Sequence, residues 1–425
     1  MKMNSTKIQT KYSYLNSIPL AWKTSFVKYL GKYINGYPFK PDDWSNQGKP
    51  ILRIQNLSNP NADFNRYEGE IPKDYLVHKG DILISWSASL GVYKWLGEDS
   101  WLNQHIFKVE INYDLVCDEY FIWLASWFVE ELAHKAHGST MQHLTSNAFG
   151  SFPVLLPPIS EQEAIAHYLD KETAKIDELI KIKKRLLELL DEKRRALITH
   201  AVTRGLNPDV PMRDSGVEWI GEIPKHWEVI RLRRVLKQMD YGISESVGIE
   251  GKIAVLRMGN IDQGEINYDN VGFVDSVNND LILSKEDLLF NRTNSLDQIG
   301  KVAIFRDNFL SPVSFASYLV RMQCNDSVIP EYLNYLLNSL PILTWARSQA
   351  LPAIGQANLN PNRYSYVHIP IPPIKEQVKI IEHIKRKNDN VERLFWLSDK
   401  TIKLLKERRT SLITAAVTGQ LKIKE

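Results

Sequence analysis

The segment LLPPISEQEAI at residues 155–165 recurs as IPIPPIKEQVKI at 369–380, and the reading of this pair decides the fold. In each copy the Pro-Pro pair closes a stretch rich in Gly, Pro, Asn and Asp. It opens a stretch with neither Pro nor Gly until a closing turn near Leu206 or Leu421. Such uninterrupted sequence with apolar residues three and four apart predicts one long helix per copy. Ser160 and Glu163 have the spacing of a capping box for the first helix. Lys375 replaces that serine in the second copy, so the cap signal is absent there.

One heptad frame serves both helices. Its first row is Leu169, Ile176, Lys183, Leu190 and Leu197, and in the second copy Ile384, Val391, Ser398, Leu405 and Leu412. The other row is Thr173, Ile180, Leu187, Arg194 and Ala201, and then Asn388, Phe395, Ile402, Arg409 and Ala416. Polar interruptions fall in the same layers of both helices, as expected if the two pack on each other in a symmetric register. Helices of about 45 residues would be about 65–70 Å long. The connecting stretch 207–222 spans at most about 55 Å when extended, so an antiparallel pairing is expected.

Working outward, the whole chain is one unit written twice. IPLAW at 18–22 recurs as IPKHW at 223–227, PILRIQNL at 50–57 as AVLRMGNI at 254–261, and GDILIS at 80–85 as EDLLFN at 286–291. DEYFIWLAS at 118–126 recurs as PEYLNYLLN at 330–338, and ALITHAVTRGL at 196–206 as SLITAAVTGQL at 411–421. The offset drifts only from 204 to 215, a spacing far too long for a solenoid repeat, so a domain pair has been duplicated. Short β-branched and aromatic runs before each Pro-Pro pair predict mixed strands, turns and a few helices. The expected architecture is α+β: two mixed α/β globular domains held apart by two long antiparallel coiled-coil helices with a pseudo-two-fold internal repeat. The expected boundaries are a flexible N-terminus at 1–16, a domain at 17–157, a helix at 158–206 and a linker at 207–222. A second domain at 223–371, a second helix at 372–421 and a tail at 422–425 complete the chain.

Composition narrows the class. Of 425 residues 44% are hydrophobic and 24% charged, with a net charge of +3, as in ordinary globular proteins. The segment 375–425 carries 13 Lys/Arg against 7 Asp/Glu, so the remainder is slightly acidic and any nucleic-acid contact must be local or shared with a basic partner. Cys117 and Cys324, the two cysteines, match no metal spacing and read as buried thiols in a reducing compartment. The N-terminus has no apolar core of a secretory signal, and Tyr120–Val129 is about half a membrane span. A cytoplasmic protein without membrane contact is expected.

The chain carries no motif for catalysis. Asn59-Pro60, Asn207-Pro208 and Asn360-Pro361 lack the Pro-aromatic continuation with which adenine methyltransferases hold a flipped base. Gly48-Lys49, Gly251-Lys252 and Gly300-Lys301 lack the Ser or Thr of a P-loop. Glu250-Gly251-Lys252 resembles half of a metal-dependent nuclease motif, but the nearest preceding Pro-Asp, Pro208-Asp209, lies across the domain boundary. Neither catalytic nor metal-binding residues are assigned.

The ordered set IPxxW, LRxxN, the acidic residue before ILIS or LLFN, LPPIxEQ ahead of a long helix and LITxAVTxG at its end resembles type I restriction–modification specificity subunits. The linker PMRDSGVEWIGEIPKHW is also similar to the opening of that family's second domain. The resemblance covers roughly 17–421. It departs at Gly419-Gln420-Leu421, which bears only on the final helical turn. It implies two target recognition domains, each reading one half of a bipartite site in double-stranded DNA. It also implies assembly with two methyltransferase (M) subunits and two restriction/translocase (R) subunits. S-adenosylmethionine, ATP and Mg would serve those partners, with no cofactor in this chain. Two alternatives remain open: recognition subunit of another DNA-modifying system, and protein-binding scaffold.

Base-edge readout favours Arg, Asn, Gln, Lys and Ser on loops. In the first domain the candidates are Lys40, Trp86, Ser87, Ser89, Asn103, Gln104, His105, His143 and Thr145. In the second they are Tyr241, Arg292, Thr293, Asn294, Ser295, Lys301, Ser317, Tyr318, Gln356, Asn358 and Arg363. Arg53 and Arg257 match between copies and read as structural, because residues that read different targets should differ.

Overall fold

The computed structural model describes residues 18–59, 62–87, 90–136, 149–353 and 355–423. The chain divides into two units, with the boundaries falling between Lys183 and Lys184 and between Ser398 and Asp399.

In the first unit a four-stranded antiparallel sheet runs in the order Gly31–Asn35, Ile106–Ile111, Ile82–Ser85, Gly91–Lys94. The ILIS strand is buried throughout, as a continuous apolar run requires. A second sheet is ordered Arg66–Tyr67, Lys49–Leu52, Ser100–Leu102, Leu76–Val77, with its middle pair parallel. Lys23–Phe26 pairs with Pro153–Leu156, and the helix Asp118–Ala136 buries Tyr120, Phe121, Leu124 and Phe128 in the main core.

The second unit repeats this plan. Leu236–Tyr241, Leu319–Cys324, Leu288–Asn291 and Val302–Ile304 form an antiparallel sheet in the equivalent order. Gly272–Val274, Ile253–Leu256 and Val313–Phe315 form the second sheet, again with a parallel pair. Glu228–Arg231 pairs with His368–Ile371. Here two helices, Pro330–Leu337 and Leu340–Gln349, follow the sheet.

The repeated sequence motifs are the internal frame. Trp22 and Trp227 are 7% and 1% exposed. Asn56 caps its own turn by accepting from the Arg53 amide at 3.1 Å, and Asn260 does so from Arg257 at 2.7 Å. Asp81 accepts from the His78 amide, and Asp287 from that of Ser284. Even a buried cation recurs: Lys108 Nζ donates to the Leu76 carbonyl at 2.7 Å, and Arg321 donates to that of Ile282 at 3.2 Å. Buried polar groups need such partners, which explains why these residues are kept in both copies. Arg53 lies over the Trp44 ring and Arg257 donates to the Asn270 carbonyl.

The long helices are Ile159–Arg204 and Ile374–Val417. All twenty residues of the two heptad rows are buried or half-buried. The capping box is not formed. The helix begins at Ile159, directly after Pro158, so Ser160 already lies inside the first turn instead of preceding it. The second helix ends two residues earlier in the repeat register because Gly419, at φ +72°, stands where the first copy has Arg204. Gly205, at φ +75°, ends the first. Glycine adopts this left-handed conformation without steric cost.

Each unit contains the start of its own helix and the end of the other copy's. In the first unit Ile413, Ala416 and Val417 share one core with Leu155, Ile165 and Leu169, and Arg409 Nε donates to Asp177 at 3.0 Å. In the second unit Ala201 and Val202 share a core with Ile380, Ile381 and Ile384, and the Tyr332 hydroxyl donates to the Val202 carbonyl at 3.1 Å. Within either unit the two helical segments run in opposite directions. A Cβ on Gly419 would meet the Pro19 ring at 2.7 Å, and one on Gly205 would meet Trp227 at 3.3 Å. Each IPxxW motif is therefore the platform on which the opposite helix ends.

Candidate nucleic-acid interface

Most of the described candidate residues gather at the C-terminal ends of the two central strands. In the first unit Trp86 follows ILIS, and its amide donates to the His105 carbonyl at 3.3 Å. Its indole Nε1 donates to Asn35 at 3.1 Å and its ring packs 5.7 Å from His105 and stacks on Phe107. Asn103, Gln104 and His105 form the adjoining turn, held by a bridge from Tyr37 to Asn103 and by the Gln104 amide donating to Tyr37. His105 Nδ1 is buried without a partner. Ser87 is also buried, at 8% exposure. Lys40 stands at a separate turn, exposed at the start of Pro41–Asp43, its amide donating to the Asp43 carboxylate. Ser89, His143 and Thr145 lie outside the described residues.

The second unit builds the same backbone with other side chains. Arg292 follows LLFN, and its amide donates to the Tyr318 carbonyl at 3.1 Å, the counterpart of the Trp86–His105 bond. The Arg292 guanidinium reaches the Ser317 carbonyl and Asn358 Oδ1, both at 3.3 Å, and lies 5.2 Å over the Tyr241 ring. Asn358 donates onward to the Thr293 hydroxyl at 3.2 Å. Thr293–Asn294 and Gln356–Asn358 are paired strands, which places Gln356, exposed, at the rim. Asn294 donates to the Met258 carbonyl and accepts from the Ser295 amide. Tyr241, Arg292, Thr293, Asn294, Ser317, Tyr318 and Asn358 are thus brought together. Arg363 is not; it sits on the helix Pro361–Ser365 and reaches the Gln349 carbonyl. Lys301 is turned to Gln298 and lines a different cavity.

One cluster was passed over by the sequence reading. Arg233 donates to the Tyr366 hydroxyl at 2.8 Å, and Arg231 and Arg233 both lie over the Tyr366 ring, all three exposed. The run RLRR at 231–234 was the available signal, and the first copy's Lys28, over Tyr29, is its counterpart. The thiols are half-buried, and burial pushes Cys324 up to about 12 and raises Cys117. Among the described residues no helix is long and apolar enough to cross a membrane. Among the described residues no group of three or more His, Cys, Asp or Glu is placed to hold a metal ion.

Along most of its length the chain is similar to known proteins. The model of the type I restriction modification DNA specificity domain matches twice, over residues 19–189 and 224–393. The EcoBI specificity subunit of Escherichia coli is 25% identical over 410 residues, covering 91% of this chain and 84% of that protein. The MjaVIII specificity subunit of Methanocaldococcus jannaschii is 23% identical, covering 96% and 94%. A solved structure described as the basis of complex assembly and conformational transition of the type I R-M system has a TM-score of 0.71 at 13% identity. It covers 95% of this chain and all of that one. The HsdS subunit from Thermoanaerobacter tengcongensis gives 0.50 at 14% identity, covering 97% and 100%. Two repeated domains of mixed helix and sheet, matched along most of their length, identify the chain as a member of the type I restriction–modification specificity subunit family.

Proposed function

We propose that this chain reads a bipartite DNA target, one half with each recognition domain, and performs no chemistry itself. The observation that carries the reading is the pair of equivalent backbone bonds, Trp86 to His105 and Arg292 to Tyr318. A common frame presents unlike side chains at the same place: Trp86, Ser87, Gln104 and His105 in one copy, and Arg292, Thr293, Ser317 and Tyr318 in the other. Phosphate contacts position a protein on DNA and side chains at base edges specify sequence. A duplicated frame with divergent loops fits two different half-sites. The recognition domains in this reading are residues 17–157 and 223–371.

The helices serve as a coiled-coil spacer and as the docking surface for two methyltransferase subunits, with two restriction/translocase subunits joining that complex in the cytoplasm. Exposed apolar residues support docking. Leu179 and Leu394 are 48% and 46% exposed, and Leu189 and Leu404 are 45% and 54% exposed. These are matched positions of the repeat, so two equivalent surfaces are available to two identical partners. S-adenosylmethionine, ATP and Mg belong to those partners.

Exchange of residues 223–371 for the corresponding domain of a relative tests the reading. The methylated motif in cells carrying the complete complex should change in one half and keep the other. A change in both halves, or in neither, would show that the domains are not independent readers.

A further inference from the structure

The second unit holds a cavity of about 350 Å³ whose lining does not include the Arg292 cluster. Arg194, Arg195, Lys301 and Arg347 line it together with Asp297, and the Asp191 carboxylate pairs with both Arg194 and Arg195. Ser339 also lines it, at the N-cap of the ten-residue helix Leu340–Gln349. Ser339 is 1% exposed, and its hydroxyl makes no cap bond and has no partner. The Nε atoms of Arg194 and Arg347 are also buried without partners. A folded protein rarely leaves such donors unsatisfied, and each calls for an explanation.

The repeat supplies the comparison. Arg409 occupies Arg194's place in the first unit, and there its Nε donates to Asp177. In the second copy Asp177's position is Glu392, which is exposed. Arg194 instead donates from one terminal nitrogen, Nη2, to Asp191, at 3.2 Å, and to Gln263. The second unit has thus lost an internal acceptor and gained a basic cavity with three unused donors, of which the Ser339 hydroxyl stands at a helix N-terminus, an end that favours anions.

We propose that this cavity binds a phosphate group. A tetrahedral oxyanion accepts from the Ser339 hydroxyl and the guanidinium groups of Arg194 and Arg347, and Lys301 adds charge. The group comes either from free orthophosphate or a nucleotide, or from the backbone of bound DNA.

Thermal unfolding of the full-length chain is titrated with sodium phosphate and, at equal ionic strength, with sodium chloride. A ligand of the folded state raises the melting temperature with concentration. Phosphate alone should do so, and Arg347→Gln and Ser339→Ala should each need roughly tenfold more phosphate for the same rise. Ser339→Ala removes only a hydroxyl and guards against a folding defect in the arginine variant. In a second arm, DNA affinity of the methyltransferase complex is measured against salt. A slope reduced by about one unit in Arg347→Gln, in Arg194→Gln and no further in the double variant assigns the phosphate to the DNA backbone. Phosphate stabilisation with an unchanged slope assigns a free anion. Equal response to phosphate and chloride together with an unchanged slope overturns the proposal, and leaves the domain-exchange result untouched.

Discussion

Gln162 and Gln377 make the same clasp in the two units. Both are fully buried. Gln162 Nε2 donates to the carbonyls of Pro157 and Leu115, both at 2.9 Å, while its Oε1 accepts from the Cys117 amide at 3.0 Å. Gln377 donates to Pro372 and Ser327 and accepts from the Ile329 amide at 2.8 Å. The glutamine of PPIxEQ thus ties the Pro-Pro turn, the first helical turn and the loop entering an earlier helix into one joint.

Gln162→Leu and Gln377→Leu should therefore destabilise to a similar extent. Each leaves a backbone amide and two carbonyls without their partner, at about 1–3 kcal/mol for a buried unsatisfied group. A loss of about 2–4 kcal/mol on that scale is expected in denaturant unfolding of the full chain. A loss in one copy alone would show that the two joints are not equivalent.

Arg321→Met should cost about 3–5 kcal/mol, because it strands a buried ion pair. Arg321, 4% exposed, bonds Asp240 at 2.6 Å and lies 3.6 Å from Asp287. Burial already holds the Asp287 carboxyl above the usual aspartate range. A raised folded pKa lowers stability as pH rises through it, and removing the cation enlarges the rise. The gap between wild type and variant should widen from about pH 4, the ordinary aspartate range, towards neutrality. Melting temperatures across that range check it, and a gap independent of pH would rule out Asp287 as the cause.

Arg292→Ala should weaken DNA binding by the assembled complex by about 1–3 kcal/mol and relax one position of one half-site. The methylated motif reads this directly. Uniform weakening on all sequences would make Arg292 a phosphate contact.

Much of this was legible in the chain. The heptad rows are local patterns, and every residue named from them is covered. The repeat also separated frame from loops: Trp22, Asn56, Asp81 and Gln162 share partners of the same kind with their counterparts. The capping box misled because Pro158 lets the helix start one residue before Ser160. In the site, sequence named loops but not their meetings. Trp86 bonds a residue 51 positions away and Arg292 one 66 away, separations fixed by sheet pairing and invisible to periodicity. The Arg233–Tyr366 contact was missed for the same reason, at 133 positions.

Lengthening both helices should widen the gap between half-sites and leave each half-site intact. The place to insert is after Lys183 and after Ser398, not near Ala201–Thr203, which are buried in the second unit's core. Four residues in each helix add about 6 Å with a rotation of about 40°, whereas two turn the face by about 200°. The first pair of insertions should give a methylated motif with a longer gap and the second should give none. An unchanged gap with four residues would make the helices a docking surface only.

The platform formed by Pro19 and Trp22 is covered by Gly419, a residue the ribosome adds 400 positions after Pro19. At about 5–20 residues per second, that interval is about 20–80 s. Throughout it the nascent first domain carries an open apolar seat. The seat at Trp227 has no such wait, since Gly205 is already made when Trp227 emerges. The order of synthesis thus makes two nearly symmetric halves unequal: one matures as it is translated, and the other depends on the last helix and on whatever shelters it until then.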